Sequence, residues 1–366
     1  MWLAVILACT FDVPHDAPPV AAAAPPPPAV VSTALVPAPP PSARLQDEQN
    51  SVDVFKAVAP ATVFVTQRQE VVDRWRMRSA EVPAGTGSGF LWDKEGHVVT
   101  NYHVIDGAQS VEVTLYDQST WPARFVGGDP RKDVAVLQIE APADKLVPVS
   151  RPEAEHQLEV GQKALAIGNP FGLDHTLTVG VISALDRENK GYGGLTIKGM
   201  IQTDASINPG NSGGPLLDAR GRLIGMNTMI YSPSGSSAGI GFAVPWTTVD
   251  RVVTQILTRG KVQQVGIGVS LVDDRIARYN GIRGLVIEEV APGSPAASAG
   301  LEGLRMTRRG VLPGDILVAA AGKPIQSYDD LYGALDGRAP GEQVTFSVQR
   351  DDAVREIELT LVELNQ

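Results

Sequence analysis

A single cysteine, Cys9, stands among 366 residues, which excludes an intramolecular disulfide and any zinc site built on several thiolates. Positive charge is also scarce: 31 Lys and Arg against 41 Asp and Glu leave a formal charge of −10. There is no basic cluster of five or more residues, and Arg74, Arg76 and Arg78 alternate with apolar neighbours. A nucleic-acid partner, which calls for basic patches, is therefore not expected. No stretch reaches the ~18 consecutive apolar residues that a membrane-spanning helix needs. No two of the five histidines share a ligand-like spacing, so neither a metal nor another cofactor is expected. What the chain has in quantity is glycine, 37 residues, with 43% apolar content. That balance fits a loop-rich, water-facing β protein better than a helical one.

The organisation changes along the chain. The run Leu3–Ala8 ends in Cys9, and Ile6-Leu7-Ala8-Cys9 resembles a bacterial lipobox. Residues 1–9 thus read as a short signal- or lipobox-like segment, with membrane attachment through a lipidated Cys9 and plain secretion both open. Residues 10–44 are rich in Pro and Ala, a composition that forms no ladder and suits an extended spacer. From about residue 45 to 260, short strand-like runs recur between Gly, Asp and Asn, among them 61–66, 89–92, 97–100, 110–115, 134–139, 163–167, 222–227 and 239–244. Before them, Val52–Pro60 reads as a short helix. Such spacing, with few helical periods, predicts a β-sandwich or barrel. The stripe Val249, Val252, Val253, Ile256 and Leu257 predicts a helix over 247–258, capped by Thr247 or Thr248 and ended by Gly260. Residues 261–366 read as a second, smaller α+β unit, with strands at 265–269, 285–290, 314–318, 344–348 and 356–361 and helices at 294–299 and 327–335.

Chemistry concentrates at Gly210-Asn211-Ser212-Gly213-Gly214-Pro215. A serine flanked by glycines can stand exposed while nearby backbone N–H groups converge on a developing oxyanion. The Gly-x-Ser-x-Gly elbow of α/β-hydrolases needs its histidine downstream, but His15, His97, His103, His156 and His175 all precede Ser212. The partners must lie upstream. His103 follows a strand, where its ring can turn into a cleft; His97 sits within a strand, and His175 is the weaker competitor. A carboxylate must orient the imidazole. Asp106 is close in sequence for that task, whereas Asp133 opens the apolar strand 134–139. The residues alone favour Asp133 over a solvent-facing turn reading without deciding it.

Thr100-Asn101-Tyr102-His103-Val104-Ile105, Asp133-Val134-Ala135-Val136-Leu137 and Gln202–Pro215 together resemble the HtrA/Deg family of trypsin-like serine proteases. Gly87-Ser88-Gly89-Phe90, Gly168–Gly172 and Ala238–Pro245 add to the likeness, which covers about residues 50–363. The resemblance implies a mainly β fold: a chymotrypsin-like double β-barrel followed by a small α+β PDZ domain. It implies a triad of His103, Asp133 and Ser212, and an oxyanion hole at Gly210, Asn211 and Ser212. A primary pocket of Ile207, Thr228, Met229 and Ile230 would suit small aliphatic residues. PDZ peptide-binding would fall on Val265, Gly266 and Ile267, with Gln263 or Gln264 where the family often has a basic residue.

The implied activity is ATP-independent endopeptidase action on misfolded envelope or periplasmic proteins, in protein quality control and the stress response. The alternative is a proteolytically silent peptide-binding chaperone or scaffold. Unfolded proteins, C-terminal peptides and a homotrimer, or a multiple of trimers, are the implied partners. Loops 168–176, 187–199 and 227–237 are those the family switches between disordered and competent states.

Overall fold

The computed structural model describes residues 45–73, 78–153, 156–172, 174–192, 194–208, 210–230, 239–308 and 310–364. Cys9, His15 and the Pro-rich spacer lie outside them.

Strand β6, Val134–Ile139, shows why so many runs here are apolar without alternation. Val134 and Val136 face a cluster shared with helices, while Ala135, Leu137 and Ile139 face a barrel interior. Both faces are buried, so period two disappears from the sequence. β1 (Thr62–Asp73), β2 (Arg78–Leu91), β3 (His97–Thr100), β4 (Ser110–Thr114), β5 (Thr120–Asp129) and β6 close into one barrel, ordered β1-β2-β3-β6-β5-β4. β7 (Lys163–Gly168), β8 (Thr176–Lys190), β9 (Thr196–Thr203), β10 (Pro215–Leu217), β11 (Leu223–Ile230) and β12 (Gly241–Pro245) close a second, ordered β10-β11-β12-β9-β8-β7. Read in the opposite sense, the second ring repeats the connectivity of the first. Closure pairs the strands around each ring, so that only strand ends running past their neighbours keep an open edge.

Between the barrels, Phe90 and Val99 of one meet Leu165, Ile167, Met226 and Val244 of the other. Two helices complete that layer. α1 runs Gln46–Val58, earlier than the expected 52–60, because Asp47 and Glu48 can occupy a first turn and Pro60 cannot continue a helix. α2 is the single turn Tyr102–Ile105. α3, Trp246–Arg259, buries Val249, Val252, Val253 and Ile256 and ends on Gly260 in the left-handed region. Its first turn is not capped by Thr247 or Thr248, which lie inside the helix. Pro245 precedes it instead, and its fixed φ of −63° leads into the turn.

The smaller unit contains β13 (Val265–Gly266), β14 (Val269–Leu271), α4 (Asp274–Tyr279), β15 (Leu285–Val290), α5 (Pro295–Ser298), β16 (Arg305–Thr307), β17 (Gly310–Leu312), β18 (Asp315–Ala320), β19 (Lys323–Pro324), α6 (Tyr328–Leu335), β20 (Gln343–Arg350), β21 (Ala353–Thr360) and β22 (Val362–Glu363). The sheet order is β14-β15-β18-β20-β21, packed on Leu331 and Leu335 of α6. The run 265–269, expected as one strand, is split: Gly268 takes φ +78°, turning the chain so that β13 pairs β22 and β14 pairs β15. Two hairpins were not anticipated. β16–β17 is a short excursion from the sheet, and β8–β9 occupies most of 187–199, which had read as loop. Register shifts at Ile182/Ala184, Ala184/Arg187 and Arg187/Asn189 explain the latter, since each bulge breaks the alternation that announces a strand.

Candidate active site

β3 delivers its chain to Asn101, whose extended backbone starts α2 and so sets His103 in the first turn. Asn101 Nδ2 donates to the carbonyl of Asp133 at 3.0 Å, pinning that turn to the foot of β6. Asp133 itself has φ +56°, a left-handed conformation that Asp tolerates better than most residues. The carboxylate is only 1% exposed. Its Oδ2 accepts from His103 Nδ1 at 2.8 Å and from Thr228 Oγ1 at 2.6 Å. Its Oδ1 lies 3.0 Å from both His103 N–H and Nδ1. A buried carboxylate needs this number of donors. With Nδ1–H given to Asp133, the other ring nitrogen is left free to take a proton.

Ser212 lies on the opposite barrel, in the turn between β9 and β10. Gly210 has φ +107°, and Asn211 N–H closes the turn on Asn208 O at 3.1 Å. Asn211 is further fixed by its side chain, which accepts from Asn208 N–H and donates to Ser206 O, each at 3.0 Å. Ser88 Oγ donates to Gly210 O at 2.5 Å, and Ser88 N–H donates to Ser212 O at 2.8 Å. The first barrel therefore holds the serine turn of the second. A β-carbon at Gly213 would run into the Ser88 carbonyl and the Thr100 hydroxyl, so only glycine permits this approach. Among the described residues, the N–H groups of Gly210 and Ser212 donate no hydrogen bond. β11 pairs β10 only as far as Met226, so beyond Asn227 its edge facing the serine turn carries no strand among those described.

The other described histidines are engaged elsewhere. His97 Nδ1 is 2.7 Å from Asp93, and His156 lies between Arg222 and Asp218. His175 Nε2 meets the Thr62 carbonyl at 2.8 Å, and burial lowers its pKa. Of the four pocket candidates, Ile207 is buried in the second-barrel core against Gly241. Thr228 departs from expectation: it is buried, and its hydroxyl serves the Asp133 carboxylate, since that oxygen needs a second donor out of water's reach. Met229 and Ile230 continue β11, and their side chains lie outside what the structure describes. Sequence reasoning missed Thr228, Asn101 and Ser88 as partners, and nothing local in the sequence marks them.

Comparison with known proteins falls on the same two units. A trypsin-like peptidase domain matches residues 87–226, and a PDZ domain matches residues 264–361. The chain is 47% identical over 317 residues to Protease Do-like 1, chloroplastic, of Arabidopsis thaliana, covering 86% of this chain and 72% of that protein. The chain belongs to the HtrA/Deg family of trypsin-like serine proteases. It is 39% identical to a probable periplasmic serine endoprotease DegP-like of Chlamydia trachomatis, over 80% of this chain but only 56% of that longer protein. The solved structure of the HtrA-type protease AlgW with a decapeptide superposes with a TM-score of 0.65 at 30% identity, covering 86% of this chain and 99% of that one. The fold is accordingly the chymotrypsin-like pair of barrels with a PDZ domain, and the family's chemistry is peptide-bond hydrolysis.

In the PDZ domain, Val265, Gly266 and Ile267 line a cavity of about 120 Å³ with Val269, Leu331 and Leu335. Arg131, between β5 and β6, and Arg251 of α3 also line it. α6 forms one wall and is docked on the barrels by its outer face. Asp329 accepts from Lys190 Nζ and Thr196 N–H, both at 2.7 Å. Asp336 accepts from Lys132 Nζ at 2.6 Å and Arg251 at 3.2 Å. The Arg131 guanidinium lies 5.0 Å from the Tyr332 ring centroid. Burial alone would raise the Asp336 carboxyl, but Lys132 and Arg251 outweigh it and hold its pKa below the usual value. Asp329 is lowered in the same way, burial being outweighed by Lys190 and Thr196.

Proposed function

We propose that this chain is an ATP-independent serine endopeptidase that degrades misfolded or damaged proteins. The observation that carries the reading is the buried, three-donor Asp133 carboxylate gripping His103 on one barrel, with a serine turn on the other whose Gly210 and Ser212 N–H groups donate no hydrogen bond among the described residues. Ser212 Oγ attacks the substrate carbonyl while His103 takes its proton and later returns it to the leaving amine. Asp133 keeps Nδ1 protonated and steadies the imidazolium. The N–H groups of Gly210 and Ser212 hold the oxyanion, with Asn211 bracing the turn between them; one such donor is worth about 10²–10³ in rate. Substrate adds as a strand to the open edge of β11 at 228–230. We assign Ile207, Met229 and Ile230 to a shallow apolar pocket that takes small aliphatic residues before the scissile bond, as the family resemblance implies.

The protease domain spans 45–260 and the PDZ domain 261–366 in this reading. The cavity at Val265–Ile267 takes C-terminal peptides, in keeping with the peptide complex of the AlgW neighbour. While the relative named chloroplastic serves another compartment, the relative named periplasmic supports work in a bacterial cell envelope. Within it the chain assembles as a homotrimer or a multiple of trimers, tethered by a lipidated Cys9 at the end of the spacer. The test is degradation of casein without nucleotide. Wild-type protein should degrade it and Ser212→Ala should not; equal rates, or a wild type that only suppresses client aggregation, overturn the assignment.

A further inference from the structure

The β8–β9 hairpin carries Tyr192 at its turn. The phenol donates to Asp106 Oδ2 at 2.6 Å, so a residue of the second barrel is tied to the segment just after His103 on the first. The Tyr192 and His103 rings lie 6.0 Å apart between centroids, tilted by 42°. The stem of the hairpin is fixed at Lys190 and Thr196 by Asp329. Tyr192 is therefore held at both turn and stem, yet 53% of it remains exposed. No step of the hydrolytic mechanism uses Tyr192 or Asp106. Thr228 of β11 and His103 share the Asp133 carboxylate, so in the protease reading a substrate strand added to the open edge of β11 carries one side chain past the imidazole. That side chain belongs to the residue preceding the one in the primary pocket, because neighbours on a strand point to opposite faces.

We infer that Tyr192 is a specificity-determining residue, its ring forming one wall of the subsite over His103, with Asp106 behind it. The inference rests on the protease reading above. A flat aromatic wall gains by covering an apolar side chain, and a carboxylate behind it repels an acidic one. The hydrogen bond that the phenol donates to Asp106 raises its pKa above the ordinary tyrosine value.

The experiment measures kcat/KM for fluorogenic tetrapeptides with Val before the scissile bond and Gly, Ala, Leu or Asp one place earlier. Wild type should prefer Leu to Gly by about tenfold and reject Asp. Tyr192→Ala should bring the Leu-to-Gly ratio of kcat/KM from about tenfold to about one, and Tyr192→Phe should keep it. A purely structural role would instead lower every peptide alike. That outcome, an unchanged profile in Tyr192→Ala, or loss of the preference in Tyr192→Phe, overturns the inference while leaving the protease reading intact. Failure of the wild type to cleave any peptide of the series overturns both.

Discussion

Thr228 gives its hydroxyl to a buried carboxylate that already holds a histidine, so its loss leaves a charge short of one donor. Thr228→Val keeps the shape and deletes the donor. A hydrogen bond to a charged group is worth about 1.5–3 kcal/mol, so kcat should fall by about 10–100-fold with KM little changed. Thr228→Ser should recover most of it, and steady-state kinetics on one peptide reads both. Asp133→Asn offers an amide in place of the carboxylate and inverts the tautomer preference of His103, for which about 10⁴ in kcat is expected. Ser212 and His103 are legible as candidates from chain order and residue type, because a serine between glycines and a histidine past a strand are local signals, whereas the residues alone favour Asp133 without deciding it. Thr228 carries no such signal: it falls just past the expected strand 222–227, among the residues assigned to the pocket, 95 positions from the carboxylate it serves.

At the scale of elements, the β8–β9 hairpin and α6 act on each other through Asp329. Its depressed pKa means that the folded state holds the ionised form. The contribution is complete above the ordinary value of 3.8 and is lost as pH falls through the depressed one. Asp336 follows the same sign. The Thr196 amide should thus be protected from hydrogen exchange at neutral pH and lose that protection in acid below the ordinary aspartate range. Asp329→Ala should lose about 10–100-fold of the protection already at pH 7, the equivalent of one charge-assisted hydrogen bond. Unchanged exchange in the variant contradicts the clamp. A second element-scale prediction concerns Gly268. Alanine there meets both an unfavourable φ and the Ser294 side chain, at a cost of about 1–3 kcal/mol. Thermal unfolding should report that loss, together with weaker capture of a C-terminal peptide. Most strands and both long helices were readable from apolar runs and Gly punctuation. The bulged hairpin and the split at Gly268 were not, since bulges and single positive-φ glycines break periodicity without leaving a composition of their own.

For the whole molecule, the two barrels share one ring connectivity although their strands differ in length and residue pattern. Nothing in a linear reading pairs β1 with β4 or β10 with β7, because closure depends on contacts the local pattern does not encode. The same holds for the docking of the PDZ domain: Lys132 and Asp336 are 204 residues apart, yet that pair sits one residue before the Asp133 carboxylate. The family resemblance supplied the architecture that periodicity left at "barrel or sandwich". What the geometry adds is how the parts are held: Ser88 of one barrel fixes the serine turn of the other, and Asp133 draws a donor from each. The most direct test of that arrangement is labelling with a fluorophosphonate followed by peptide mapping. The account predicts one adduct, on Ser212, formed at a rate that collapses in His103→Ala. An adduct on another residue, or none on folded wild-type protein, would contradict it.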